Sequence, residues 1–202
     1  RPALPCPALP REIGRAKQLF IDEDMVQSAS DVEFTLNPAR RAERVLHATD
    51  PWASAGLGFV NVIQEGDDFR MWYEVWTYVE QIPGHWMSRL CYAVSKDGIH
   101  WTKPNLGLCQ WNGSRENNIL LPDDDFEYVF SEMDGPCVFI DPQAKNPDEK
   151  YKMFIKISPV RGQPEKSNDG PILVQVTKQL PKAQYAFASP DGIHWRLMSS
   201  KK

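Results

Sequence analysis

The segment Ser95-Lys96-Asp97-Gly98-Ile99-His100-Trp101 returns 94 residues further on as Ser189-Pro190-Asp191-Gly192-Ile193-His194-Trp195, identical at six of seven positions. A match of that length within one chain marks a duplicated structural unit and restricts the fold to architectures made by repetition. Two further blocks precede each copy in the same order. Phe69-Arg70-Met71-Trp72-Tyr73 stands before the first and Tyr151-Lys152-Met153-Phe154-Ile155 before the second, both aromatic, basic, Met, aromatic. Upstream again lie Gly58-Phe59-Val60-Asn61-Val62-Ile63 and Gly135-Pro136-Cys137-Val138-Phe139-Ile140.

Local chemistry assigns the blocks to strands and turns. The runs are rich in β-branched and aromatic residues, and polar linkers such as Glu65-Gly66-Asp67-Asp68 separate them. The Asp-Gly pair of the repeated heptad tolerates the left-handed turn of a hairpin, and Ile and Trp start the returning strand. Four antiparallel strands per unit are predicted, over 58–64, 69–77, 88–95 and 99–103, then near 136–141, 150–157, 183–189 and 193–198. The expected class is all-β, a β-propeller of four-stranded antiparallel blades with the innermost strands lining a channel. A β-sandwich with a coincidental repeat is the alternative.

Composition narrows the functional classes. The 202 residues carry 23 Lys and Arg against 27 Asp and Glu, a formal charge of −4, with 42% hydrophobic residues. That is one domain's worth of globular chain, without the basic patch nucleic acid requires or the run of ~18 apolar residues a membrane span requires. Seventeen Pro and twelve Gly suit short strands with many turns. Cys6, Cys91, Cys109 and Cys137 are scattered without metal-ligand spacing, so no metal is expected, and Cys91 and Cys137, inside apolar runs, read as buried thiols. Gly-rich phosphate loops, G-x-S-x-G elbows and H-E-x-x-H helices are missing, and no cofactor is expected. Asn112-Gly113-Ser114 forms a glycosylation sequon.

Several stretches together resemble a known group. Leu19-Phe20-Ile21-Asp22, Phe69 to Tyr73, Tyr92 through Pro104, Leu106-Gly107-Leu108, Glu116 to Leu121 and Phe139-Ile140-Asp141-Pro142 are similar to bacterial propeller proteins related to glycoside hydrolases. Their superfamily of arabinanases, invertases and levansucrases consists of five-bladed propellers. The resemblance implies a carbohydrate substrate, hydrolysis through inward carboxylates, and an extracellular or periplasmic location. A non-catalytic carbohydrate-binding or protein-interaction module is the alternative. The chain holds about two blades: an arm over 1–50, a first blade with its connection over 51–128, and a second over 129–202. It is therefore expected to be the N-terminal portion of a longer polypeptide, or to meet its remaining blades in a partner subunit.

By the same resemblance, catalytic carboxylates belong near the starts of innermost strands, and glycoside hydrolysis needs two. Asp134, placed immediately before a strand, is the first candidate, Asp50 the second and Asp22, with Asp24 beside it, the third. Trp52 could stack on a sugar face, and Glu132 and Asp141 could bind substrate. Asp141-Pro142 matches the Arg-Asp-Pro stabiliser of invertases only in its last two residues, with Ile140 where Arg would stand. The general-acid Glu of arabinanases would come from a later blade. Each residue has a plainer reading: Asp134 and Asp50 as turn residues, Asp97 and Asp191 as structural. His100 and His194 are expected to pack between strands with Trp101 and Trp195. Trp72, Trp76, Trp86 and Trp111 belong to packing or to sugar stacking. Asp123-Asp124-Asp125 reads as a solvated loop or a calcium site.

Overall fold

A computed structural model describes residues 14–15, 26, 28–33, 35–78, 86–122, 132–158 and 180–198. The chain divides into two compact units, Arg1–Ala42 and Glu43–Lys202. In the first, the described residues form neither strand nor helix.

The second unit is all-β. β1 (Gly56–Glu65), β2 (Asp68–Tyr78), β3 (Trp86–Ser95) and β4 (Trp101–Thr102) form an antiparallel meander in that order. β5 (Ile119–Leu121), which the sequence did not announce, returns to pair with β3. β6 (Glu132–Ile140), β7 (Tyr151–Ser158), β8 (Ala183–Ser189) and β9 (Arg196–Leu197) form a second meander of the same order. Successive four-stranded meanders are propeller blades. The chain thus contains a partial propeller of two blades, and no described helix is long and apolar enough to cross a membrane.

Strand alternation builds the core between the sheets. Tyr151, Met153, Ile155 and Ile157 of β7 turn one way and meet Trp72, Leu90 and Tyr92 of the first sheet. The other face of β7 leaves Phe154 exposed, stacked at 5.8 Å on Phe139. On the far side of the first sheet Met71, Tyr73 and Val75 join Ala53, Cys91, Cys109 and Ile119 in a second cluster. Cys91 is buried as expected, but Cys137 is exposed, because it shares the outward phase of β6 with Phe139.

Hydrogen bonds between the sheets fix their relation. The Trp72 indole donates to Gly192 O at 2.6 Å and Arg70 donates to Asp191 O at 2.7 Å. Asn61 donates to Pro136 O at 2.7 Å and accepts from the Val138 amide at 3.1 Å, joining β1 to β6. Glu65 is the acceptor at one corner, taking Lys150 and the Tyr151 hydroxyl. The Lys150 bond leads in holding its carboxyl below the ordinary range.

The repeated heptad is organised by its aspartate. Asp97 Oδ1 accepts from the amides of Ile99 and His100, and Asp191 Oδ1 does the same for Ile193 and His194. Ser95 and Ser189 each donate to that oxygen at 3.0 Å and accept the following Gly amide. Contrary to expectation, His100 and His194 do not pack between strands. Both are exposed, and each ring meets its aspartate at 2.7 Å, an arrangement that the three-residue spacing within the turn imposes. Trp195 is buried and Trp101 half-buried, as expected of them.

Candidate functional site

A cleft of about 620 Å³ opens at the end of the sheets where β1 and β6 begin. It is lined by Ala55, Phe59, Glu74, Trp76, Tyr78, Trp86, Ser88, Glu132, Met133 and Asp134. The register explains the gathering. In an antiparallel pair the end of one strand lies beside the start of the next, so Glu74 and Trp76 of β2 stand opposite Gly58 and Gly56 of β1. β3 adds Trp86 and Ser88 at its own start, and Ser88 donates to Met133 O at 3.1 Å, tying the second sheet to the cleft floor.

Glu74 dominates the electrostatics. It is 1% exposed. One carboxyl oxygen accepts from the Trp76 indole at 2.7 Å, while the other has no hydrogen-bond partner of normal geometry. Burial pushes the carboxyl up to about 7, and the negative charge of Asp134 adds to this, against the opposing pull of the Ser88 hydroxyl, the Trp76 indole and the Gly135 amide. The Trp76 ring that fixes Glu74 lies over Gly58, where a Cβ would come within 2.7 Å of it. Phe59, held at φ 47° by a β-bulge, meets the same ring edge-on at 6.0 Å.

The six residues singled out from sequence divide. Asp134 and Glu132 both line the cleft. Asp134 does not precede the strand as expected. It lies inside β6, opposite Lys156 of β7, whose ammonium it meets at 2.7 Å. Strand pairing starts earlier because Glu132 and Met133 already pair with Ser158 and Ile157. Glu132 has no hydrogen bond or ion pair among the described residues.

Asp50, Trp52 and Asp141 do not line the cleft. Asp50 opens a 3-10 turn at Pro51–Ala53, its carbonyl accepting from Ala53 N at 2.9 Å and its carboxylate paired with Lys103. Trp52 packs on the second cluster, its carbonyl accepting from the Thr77 hydroxyl. Asp141 shapes the turn after β6, accepting from Gln143 N at 2.9 Å and facing Lys152 at 3.4 Å. Asp22, Asp24 and the run Asp123-Asp124-Asp125 lie outside the described residues.

Sequence reasoning missed Glu74, although a signal was present. It is the one acid within Phe69 to Tyr78, a run otherwise almost wholly aromatic and apolar, and an acid in a strand buried on both faces is costly unless it serves something. Three or more His, Cys, Asp or Glu side chains placed to hold a metal are not found among the described residues.

No protein-family model and no curated protein matches the sequence. Solved structures do. A GH32 beta-fructofuranosidase of Bombyx mori shares 16% identity over 69% of this chain, with a TM-score of 0.39. A glycosyl hydrolase from Bacteroides ovatus shares 17% over 72%, with a TM-score of 0.36. A structure described with the GH130 family of mannoside phosphorylases, among glycoside hydrolases that target beta-1,2 mannosidic linkages in Candida mannan, shares 16% over 72%, with a TM-score of 0.34. The chain spans 22% of the first of these proteins and 49% of each of the others. At such identities no functional residue transfers from them.

Proposed function

We propose that the protein is carbohydrate-active, a glycoside hydrolase whose reacting groups are Glu74 and Asp134. One observation carries the reading. A buried carboxyl held near neutrality, with an unpartnered oxygen, shares an aromatic-walled cleft with an ion-paired carboxylate. Two carboxyl groups whose environments push them apart can divide acid and base roles. Protonated Glu74 would deliver its proton to the leaving glycosidic oxygen as the bond to the anomeric carbon breaks. Asp134 would attack that carbon or remove a proton from the attacking water. Trp76 orients Glu74, and the faces of Trp86 and Tyr78, 48% and 60% exposed, offer stacking surface for a sugar ring. Polymeric substrates of this kind are met outside the cytoplasm, so an extracellular or periplasmic location belongs to the proposal.

Turnover of aryl-glycosides and oligosaccharides tests it. Glu74→Gln and Asp134→Asn should each lower kcat by ~100-fold or more, and wild-type kcat/KM should fall above about pH 7 as Glu74 loses its proton. Turnover that survives both substitutions eliminates these roles. The alternative, a non-catalytic carbohydrate-binding or protein-interaction module, needs the aromatic walls and not the protonated acid. It is favoured by sugar binding that Glu74→Gln leaves intact, with no hydrolysis in the wild type.

The proposal extends to further sheets, from a longer chain or a partner subunit, covering the outward side of the second sheet where Phe139 and Phe154 stay exposed. Light scattering on the eluting protein decides this for the chain as it stands. A stable ~23 kDa monomer that melts cooperatively would remove the need for them.

A further inference from the structure

The charge and surface chemistry of the cleft select among sugars. Among the described residues three carboxyl groups line it, Glu74, Glu132 and Asp134, and no Lys or Arg does. Lys156 is engaged with Asp134 at 2.7 Å. Two side-chain donors of the lining are used internally, the Trp76 indole by Glu74 and the Ser88 hydroxyl by Met133 O. The carboxyl groups add acceptor capacity. One oxygen of Glu74 is buried without a partner, and Glu132, half-buried at the start of β6, has no partner among the described residues. Around these acceptors stand four aromatic side chains, Phe59, Trp76, Tyr78 and Trp86.

We infer that the cleft takes an amino sugar, a ring carrying a free ammonium group, in preference to neutral or anionic sugars; this rests on the carbohydrate reading above. An ammonium is donor-only, with three N–H bonds to give and none to receive. It matches an unpaired carboxylate, and aromatic faces attract it through their negative quadrupole. A uronate would bring a second negative charge against Asp134 and Glu132. A neutral sugar gains nothing from the field that the carboxylates focus into a low-dielectric cleft. Glu132 receives the ammonium at the rim, and Glu74 and Asp134 remain free for the glycosidic oxygen and the anomeric carbon. Acetylation of the amine removes both the charge and two of the donors.

Calorimetric titration of the purified chain tests this, in mildly acidic buffer where the amine is charged, with four probes: glucosamine, N-acetylglucosamine, glucose and methylammonium. Glucosamine should bind at least about tenfold tighter than its acetylated form or glucose. That preference should shrink as salt rises from about 0.05 to 0.5 M. Glu132→Gln should reduce the ratio to near one, with Asp148→Asn, an exposed acid outside the cleft, leaving it unchanged. Neutral sugars that bind as tightly as glucosamine overturn the inference and leave the carbohydrate reading standing. Methylammonium bound in a Glu132-dependent way, with no sugar bound, does the reverse. No binding by any probe overturns both.

Discussion

Glu74 gives the most exacting test, because its burial must appear in the pH dependence of folding. In the unfolded chain its carboxyl titrates near 4.5, and in the fold burial pushes it up to about 7. The folded state therefore holds the proton more tightly. Between these two values the unfolded state has lost its proton while the native state keeps it, so stability falls as pH rises through the interval. It is unaffected below about 4.5 and fully reduced above about 7. A gap of that size corresponds to ~3 kcal/mol, undiminished by solvent screening since the side chain is 1% exposed. Glu74→Gln keeps the acceptor for the Trp76 indole and removes the titration. Urea unfolding of both proteins, followed by tryptophan fluorescence, should show the variant gaining on the wild type by ~3 kcal/mol between about pH 4.5 and 8. In thermal melts the same difference amounts to about 6–12 °C. Other groups, among them Glu65 and Asp191, change stability in the opposite sense with pH but cancel in the comparison. A stability difference between the two proteins that stays constant with pH would refute the placement of a buried, reluctantly ionised carboxyl in the cleft.

Three more outcomes are expected. Gly58→Ala puts a Cβ within 2.7 Å of the Trp76 ring and so must displace the residue that orients Glu74; a loss of ~1–3 kcal/mol and a drop in kcat should appear together, measured by melting and turnover. Trp72→Phe removes the buried 2.6 Å bond to Gly192 O between the sheets, and chemical denaturation should register a loss of ~1–3 kcal/mol. In Asp191, burial is outweighed by the His194, Ile193 and Ser189 hydrogen bonds, which hold the carboxyl at about 2 against an ordinary 3.8. Its contribution is present above about pH 4 and lost as pH falls toward 2, so Asp191→Ala should flatten the acid limb of the melting profile. Asp97→Ala should do so less, because that turn lies at the surface.

Much of the scaffold was legible because strand chemistry is local. Runs of β-branched and aromatic residues, their repetition and the Asp-Gly turns located eight strands near their observed positions. β5 escaped because its three residues pair with β3 only after a long excursion beyond Thr102, and nothing local announces that return. The histidines were misplaced for a related reason: alternation along a strand says nothing about a turn, where Asp97 and Asp191 draw the rings outward. For the site, attention to innermost strands found Asp134 and Glu132, which lie on β6. It passed over Glu74, which reaches the cleft from the far end of β2 through antiparallel pairing, a relation that depends on register.

The register also shows where the two copies part company. Both first hairpins carry a bulge at the same place, between Gly58 and Asn61 in one and between Asp134 and Cys137 in the other. Just before it, Gly58 pairs with Glu74 and Asp134 pairs with Lys156. The equivalent positions thus hold a glycine and an acid in the first sheet, an acid and a lysine in the second. Each difference has a physical use. Gly58 leaves the room that the Trp76 ring fills, which seats Glu74 in apolar surroundings, and Lys156 supplies the counter-charge that Asp134 has at the cleft edge. At the opposite end of the sheets the copies agree almost residue for residue, because there Asp97 and Asp191 do the same work of closing a turn. Identity between the repeats therefore marks what each blade needs in order to fold, and a pair of carboxyls in unlike environments could arise only where the repeats diverged.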